Sequence, residues 1–318
     1  MEHYVTLFDS LFLPQGLALH LSMQRHAGEH TLWIICMDDV AHSVLERLNL
    51  NSVRLLHLDH LETSELKRVK PLRSTVEYCW TMTPFAPRFV FETDLTVERV
   101  TYLDADMWFR KNPIEVFRDF ERSLKSVLIT DHAYSPENDQ SALSGQYCVQ
   151  FMIFIRARSE RVRARWEAEC IDWCYNRTDE GRFGDQKYLD KWPVMFDTLV
   201  HELADKELLM APWNAQRYPY GRSVAWHFHG FRVITLFNSL LFFSLGTYPL
   251  PRVVKNNIYR QYMNDILIAI EKLNSIQFRI KSQSVTPLRT IIKSLILPIY
   301  FRISIITTNV FYHQRTKT

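Results

Sequence analysis

Two carboxylates two positions apart give this chain its clearest chemical handle. Arg99-Val100-Thr101-Tyr102-Leu103 alternates β-branched and aromatic residues and reads as a short buried strand, and it runs directly into Asp104-Ala105-Asp106. In a strand, residues i and i+2 share a side, so at the carboxyl end of this strand the pair can meet one hard cation. Carboxylate oxygens suit Mg²⁺ and Mn²⁺, and Mg²⁺ is commonly held by one or two carboxylates plus substrate phosphates. The chemistry so described is a strand tip carrying a metal that carries a diphosphate. An acidic turn after a strand has the same spelling, but a solvated turn has no need of the bulky Met107-Trp108-Phe109 that follows. Three further places could contribute. Asp9 closes the first apolar run. Asp185 enters a short helix, where a plain N-cap is an equally simple reading. His227 and His229 alternate with Phe228 and so share one side, just before Gly230, where a backbone can approach a ligand closely.

The elements that must position these residues follow from periodicity. Tyr4–Phe8, Thr31–Met37 and Val53–Leu58 read as strands, and Leu17–Arg25 and Val40–Leu48 as the helices between them. A β-α-β-α-β run implies a parallel sheet with right-handed crossovers, and ligands on such sheets sit beyond the carboxyl ends of the strands. Asp9 and Asp104 both lie at such ends. Glu62–Lys70 reads as a polar loop. Arg73 precedes a helix over Ser74–Thr83, which Pro84 and Pro87 close. After the acidic pair come a short helix from Pro113, a strand over Ser126–Thr130, a loop over Asp131–Gly145 long enough to bind something, and a near-continuous apolar strand over Tyr147–Ile155. Ser159–Tyr175 is an amphipathic helix with Val162, Trp166, Cys170 and Trp173 on one face. Val233–Leu245 is apolar but too short and too interrupted to span a bilayer, and reads as core. Ile258–Phe278 has helical spacing.

The chain has 318 residues, 47% of them hydrophobic, which suffices for a large core and, with 8 glycines, excludes a collagen-like or low-complexity chain. Its five cysteines are odd in number and irregularly spaced, which fits reduced thiols and a cytoplasmic location better than a disulfide framework. The N-terminal Met-Glu-His-Tyr-Val-Thr shows no signal-peptide pattern. The net charge of +3 conceals an asymmetry: eleven of the 38 Lys/Arg but only two of the 35 Asp/Glu lie beyond residue 250, leaving the first 250 residues net acidic. The expected organisation is therefore a body over 1–250 and a basic helical extension over 251–318. In the extension, Ile, Leu and Phe clusters beside Arg289, Lys293 and Arg302 suit an anionic membrane surface on the inner face of the cell membrane rather than nucleic acid; packing on the body is the plainer alternative.

Taken in order, the strand-end Asp9, Tyr-Leu-Asp-Ala-Asp at 102–106, the buried strand at 147–155, Gly-Asp-Gln at 184–186 and His-Phe-His-Gly at 227–230 resemble retaining glycosyltransferases of family 8 and their bacterial relatives that build cell-surface glycans. Phe-Gly-Asp-Gln-Lys-Tyr-Leu-Asp together with Ala-Pro-Trp-Asn is similar to a bacterial nucleotide-diphospho-sugar transferase subfamily, and the resemblance covers about residues 3 to 235. It implies a GT-A, Rossmann-like α/β fold with a mixed, mostly parallel central sheet flanked by helices. It implies transfer of a sugar, with retention, from a nucleotide-diphosphate donor (uridine being the family's usual base) to a glycan or lipid-linked saccharide. It makes Asp104, Asp106 and His227 ligands of Mn²⁺ or Mg²⁺, brings Gly230 close to the diphosphate, assigns Asp9 to the base or ribose and Arg73 to the nucleotide and sugar, and sets Asp185 and Gln186 near the donor sugar and acceptor. Two departures stand out. The family's Lys-Pro-Trp after its His motif is here Phe231-Arg232-Val233-Ile234, with Arg232 in place of the Lys, and its Asn-Ala-Gly is here Val149-Gln150-Phe151.

Rival readings are weaker on the residues. A sugar nucleotidyltransferase should carry a Gly-rich loop after its first strand, yet no Gly appears before Gly16; a phosphotransferase with an Asp nucleophile does not suit Trp108. A non-catalytic glycan-binding or scaffold protein is the non-enzyme alternative, and it should lose nothing when Asp104 is removed.

Overall fold

The structure is a computed structural model that describes residues 1–219, 221–236 and 240–283. Two compact units result. Among the described residues, one joins Met1–His229 to Tyr248–Arg279, and the other joins Gly230–Thr247 to Ile280–Gln283.

The first unit is built on a seven-stranded sheet. Strand β1 (Glu2–Phe8) is followed by helix α1 (Leu13–His26), β2 (His30–Cys36), α2 (Asp39–Leu48) and β3 (Val53–His57). Helices α3 (Thr75–Met82) and α4 (Ala86–Thr93) lead to β4 (Arg99–Leu103) and a short β5 (Met107–Phe109); α5 (Ile114–Ser123) leads to β6 (Val127–Asp131), β7 (Tyr147–Ile155) and α6 (Glu160–Asp172). Short strands β8 (Val200–Glu202), β9 (Leu209–Met210) and β10 (Ala225–His227) follow, and α7 (Arg260–Ser275) closes the unit. The sheet order is β3-β2-β1-β4-β7-β6-β8, and β5-β10-β9 form a separate small sheet. In the large sheet β1 pairs in parallel with β2 and β4, and β2 with β3, while β7 runs antiparallel to both β4 and β6. The mixed, mostly parallel sheet expected from the sequence is therefore present.

Local chemistry explains the helix starts. The Asp38 carboxylate accepts the Ala41 N–H at 2.6 Å and caps α2. Ser74 and Glu77 form a reciprocal capping box at the start of α3. The polar segment Glu62–Lys70, expected as a loop, instead contains a helical segment over Ser64–Val69: the Thr63 hydroxyl accepts the Leu66 N–H at 3.3 Å, and Leu66 and Val69, three apart, are buried. The core lies on the sheet faces and includes the stacked Phe154 and Trp166. All five cysteines are free thiols, as their spacing suggested.

Beyond residue 250, α7 packs along α1 within the first unit. Asp265 on α7 forms an ion pair with Arg25 and accepts the Trp108 indole N–H at 2.6 Å. The basic segment Arg289–Tyr312 lies outside the described residues. Among the described residues no helix is long and apolar enough to cross a membrane. In the second unit, the apolar run read as core is a hairpin of β11 (Arg232–Leu236) and β12 (Leu240–Ser244), with Ile234, Leu241, Phe242 and Phe243 half-buried. Gln283 pairs with Val233, accepting its N–H at 2.9 Å and donating its own backbone N–H to the Val233 carbonyl at 3.0 Å.

Candidate active site

The acidic pair does not continue β4. The chain turns at Asp104, with the Met107 N–H donating to the Asp104 carbonyl at 3.0 Å, and re-enters extended structure as β5. This turn, rather than strand alternation, folds the two carboxylates together. His227 arrives from 120 residues away because β10 runs antiparallel to β5, with His227 opposite Met107, and because the Phe228 N–H donates to the Asp106 carbonyl at 2.9 Å. The bulky residues after the acidic pair secure this pairing from behind. Trp108 is tied to Asp265, and Phe228 stacks flat on Tyr262 of α7 with ring centroids 3.5 Å apart.

The result is a cluster in which ligand atoms of Asp104, Asp106 and His227 all lie within 4.8 Å of one another. The His227 Nε2 stands 3.0 Å from Asp106 Oδ1 and 3.6 Å from Asp104 Oδ2. Burial, with the charge of Asp106 beside it, pushes the Asp104 carboxyl up to about 6 against the pull of His227. His227 is itself held well above the usual imidazole value, despite burial, chiefly by Asp106. Its Nε2 faces the two carboxylates, and its Nδ1 lies 3.1 Å from the Gln150 side-chain oxygen. Gln150 is in place because the Asp104 N–H donates to the Gln150 carbonyl at 3.2 Å where β4 meets β7. Two carboxylates and an imidazole form an oxygen-rich mixed set of the kind that holds Mn²⁺ or Mg²⁺. The site also leaves the fully buried Gln150 Nε2 without a protein partner. A second group of possible ligands, Asp39, His57 and Asp59, lies on the surface at the ends of β2 and β3.

Asp185 is buried, and its Oδ2 has no protein partner. Burial, reinforced by the Asp104 charge, pushes its carboxyl up to about 8. The Asp185 carbonyl accepts the Trp166 indole N–H at 2.8 Å, which anchors the loop to α6. Tyr102, whose hydroxyl donates to Asp104 Oδ1 at 3.0 Å and lies 3.4 Å from Thr83 Oγ1, joins the floor of the site. Asp185 thus lies next to the cluster and does not cap a helix with its side chain. The adjacent Gln186 donates its amide to the Ser144 carbonyl at 2.8 Å, across to the 131–145 loop.

Asp9 is at the carboxyl end of β1, as expected, where it accepts the Leu11 N–H at 3.0 Å; burial raises its carboxyl. Asp38 lies beside it at the end of β2 and accepts both the N–H and hydroxyl of Ser10. The Arg73 guanidinium donates to Thr81 Oγ1 and to the Cys174 and Ile171 carbonyls, at 2.8 to 2.9 Å, and lies over the Tyr175 ring; it joins α3 to the end of α6. Gly230 and Arg232 belong to the second unit. Gly230 has φ +77°, a left-handed conformation that favours glycine, and Arg232 donates to the Phe231 carbonyl. The residues that sequence reasoning passed over are Tyr102, Thr83 and Asp38. Each is one position in an ordinary-looking strand, turn or cap, and nothing in its neighbours signals a polar floor.

No protein-family model matches the chain. It is 28% identical over 251 residues to the uncharacterized protein YfnF of Bacillus subtilis (strain 168), covering 73% of this chain and 82% of that one. Its fold is similar to that of the glycosyltransferase GlyE of Streptococcus pneumoniae TIGR4, with a TM-score of 0.50 and 12% identity over 90% of this chain and 67% of that one. It is equally similar to a galactosyltransferase, LgtC, solved with donor and acceptor sugar analogs: TM-score 0.50 and 9% identity over 92% and 99% of the two chains. At these identities the likeness establishes the fold, which is the GT-A type.

Proposed function

We propose that this protein is a metal-dependent glycosyltransferase that moves a sugar from a nucleotide diphosphate, of which a UDP-sugar is the expected form, to a saccharide acceptor with retention of configuration. The observation that carries the reading is the convergence of Asp104, Asp106 and His227 at the carboxyl end of β4, the edge of a parallel sheet where ligands bind. Those three residues would hold Mn²⁺ or Mg²⁺. When bound, such an ion supplies Lewis-acid stabilisation of charge developing on the diphosphate leaving group.

The chain's own residues do the rest. His227 would meet the cation through a deprotonated Nε2, its proton passing to solvent, with Nδ1–H kept on Gln150, and Asp104 and Asp106 would meet it as carboxylates. Asp9, at the adjacent strand end, is the candidate for the nucleoside. Asp185, buried and raised by the charge of Asp104, is with Gln186 the candidate to orient the sugar or meet its anomeric carbon on the face where an oxocarbenium-like centre develops. Association with an anionic inner membrane surface through the basic residues beyond 280 is part of the same proposal, and a salt wash that leaves the protein on membranes would count against it.

The test is a thermal shift of the purified protein with UDP-, GDP-, CDP- and TDP-sugars, each with and without Mn²⁺, against Asp106→Asn. A ligand at 100 times its dissociation constant stabilises the folded state by ~2.7 kcal/mol, a shift of several degrees. The expected result is a Mn²⁺-dependent shift with one nucleotide that disappears in the variant. No Mn²⁺-dependent shift with any nucleotide, or one that Asp106→Asn retains, refutes the reading.

A further inference from the structure

One feature of the site serves neither the cation nor the sheet. The Ala211-Pro212-Trp213-Asn214 segment places the Trp213 ring edge-on against His227, with centroids 5.2 Å apart and planes at 89°. Around Trp213 stand four more rings: His132 at 5.0 Å, His229 at 5.5 Å, and Tyr134 and Tyr248 each at 6.3 Å. Trp213 itself is buried, Tyr134 and Tyr248 are half-buried and His229 is exposed, so the group forms a wall whose outer rings face solvent beside the cation ligands.

The wall is held rigidly. The His132 carbonyl accepts two bonds at once, from the Trp213 indole N–H at 2.9 Å and the Asn214 amide at 3.0 Å, while Asn214 Oδ1 accepts the Ala211 N–H at 3.0 Å. The Ser135 N–H donates to the Trp213 carbonyl at 3.0 Å, and the Tyr134 ring lies flat on His132 with centroids 4.6 Å apart. These bonds lock the start of the 131–145 loop to the Trp213 segment. Hydrogen-bonding groups frame the rings. The exposed Gln140 donates its amide to the Tyr248 hydroxyl at 3.2 Å, and the exposed Arg217 reaches the Tyr134 carbonyl at 3.3 Å.

We propose that this wall is the acceptor subsite, and that it takes a pyranose by stacking one apolar sugar face on the rings of Tyr134 and Tyr248 while Gln140 and Arg217 meet its hydroxyls. The electron-rich ring face attracts the weakly positive C–H groups of a sugar face, and a rigid aromatic wall with a few polar groups is the usual make-up of a small-ligand site. The wall's contact with His227 sets the occupant next to the proposed donor, which is where an acceptor hydroxyl must be. The proposal rests on the glycosyltransferase reading, but its test does not need turnover.

The experiment is saturation-transfer NMR on the full chain with the methyl pyranosides of glucose, galactose, mannose and N-acetylglucosamine. The variants are Tyr134→Leu and Tyr248→Leu, which keep apolar bulk without the ring, and Tyr248→Phe, which keeps the ring; circular dichroism confirms folding. We expect transfer concentrated on the C–H protons of one face of at least one sugar, an affinity about fivefold or more weaker in each Leu variant, and one within about twofold of wild type in Tyr248→Phe. No transfer to any of the four sugars overturns the proposal, as does transfer that survives both Leu variants. If a Leu variant unfolds, the wild-type result with Tyr248→Phe decides: one-face transfer retained by Phe supports the wall, and transfer spread over both faces refutes it. Failure of the glycosyltransferase reading shows separately, as the absence of any Mn²⁺-dependent nucleotide shift in the wild-type protein.

Discussion

Replacing Gln150 by Leu separates the stability of the site from its capacity for a cation. Gln150 is fully buried on β7; its side-chain oxygen accepts from His227 Nδ1, and its side-chain nitrogen has no protein partner. Two costs therefore change in opposite directions. Gln150→Leu takes the oxygen acceptor from the buried His227 Nδ1–H, leaving the weaker Cys148 thiol beside the ring, at a penalty of up to ~1–3 kcal/mol, but it also deletes an unpartnered buried amide group whose own penalty is of the same size. With leucine filling nearly the same volume, the net change in folding stability should be within ~1 kcal/mol. Cation affinity has no such compensation. A ligating histidine depends on the partner of its other nitrogen for tautomer and ring orientation, and losing that partner typically costs 10- to 100-fold in metal affinity, or ~1.4–2.7 kcal/mol. The assay is titration of the purified protein with Mn²⁺, following free Mn²⁺ by electron paramagnetic resonance, with urea unfolding as the stability control. Gln150→Glu keeps an acceptor oxygen and should bind Mn²⁺ no more weakly than wild type. A Gln150→Leu dissociation constant within twofold of wild type would sink the argument, and so would a Gln150→Glu variant weakened as much as the Leu variant.

Asp185→Asn should change how stability depends on pH. The folded-state carboxyl is raised to about 8, so between the unfolded value near 4 and about 8 the native state holds a proton that the unfolded state releases, and wild-type stability must fall as pH rises through that window. At ~1.4 kcal/mol per unit, even half of that shift amounts to about 3 kcal/mol. Asn carries no such proton, so the variant should gain ~1.4 to 4 kcal/mol on wild type between pH 5 and pH 8.5 in urea melts without metal, for half and for the whole of that shift; parallel profiles would count against a buried Asp185 carboxyl raised further by Asp104. Arg73→Ala should act mainly on stability. Its guanidinium serves two backbone carbonyls and a hydroxyl, and hydrogen bonds to charged groups are worth ~1.5–3 kcal/mol each, so a loss of at least 2 kcal/mol is expected in urea unfolding. A variant of unchanged stability with weakened nucleotide binding would return Arg73 to the donor site.

The sequence alone determined the scaffold and the edge at which chemistry happens. The run of β1, α1, β2, α2 and β3 is legible because each strand is buried along nearly its whole length or ends on a cap, and periodicity and capping are local properties. A parallel sheet then requires that Asp9 and Asp104 share an edge, which needs no coordinates. The acidic pair and His227 were legible as residue types and motif order. Their meeting was expected only through the family resemblance and not from local pattern, because it depends on a turn at Asp104, on a three-residue antiparallel pairing of β5 with β10, and on α7 bracing Trp108 and Phe228 from behind. Helix Ser64–Val69 escaped the reading because two buried residues on a polar segment are too few to show a period. The apolar run Val233–Leu245, read as core, is buried at Val233 and half-buried at its other described side chains, because hydrophobicity reports a tendency to be buried and not the partner that provides the burial. Arg73 and Gln150 show the same limit from opposite sides. The family resemblance offered Arg73 for the nucleotide and gave no sign that its donors also serve the Cys174 and Ile171 carbonyls, and a glutamine in an apolar strand gave no sign that it faces a histidine 77 residues away. Side-chain partners across such separations are set by how strands are ordered and paired, and strand order is a property of the whole chain that no local window contains.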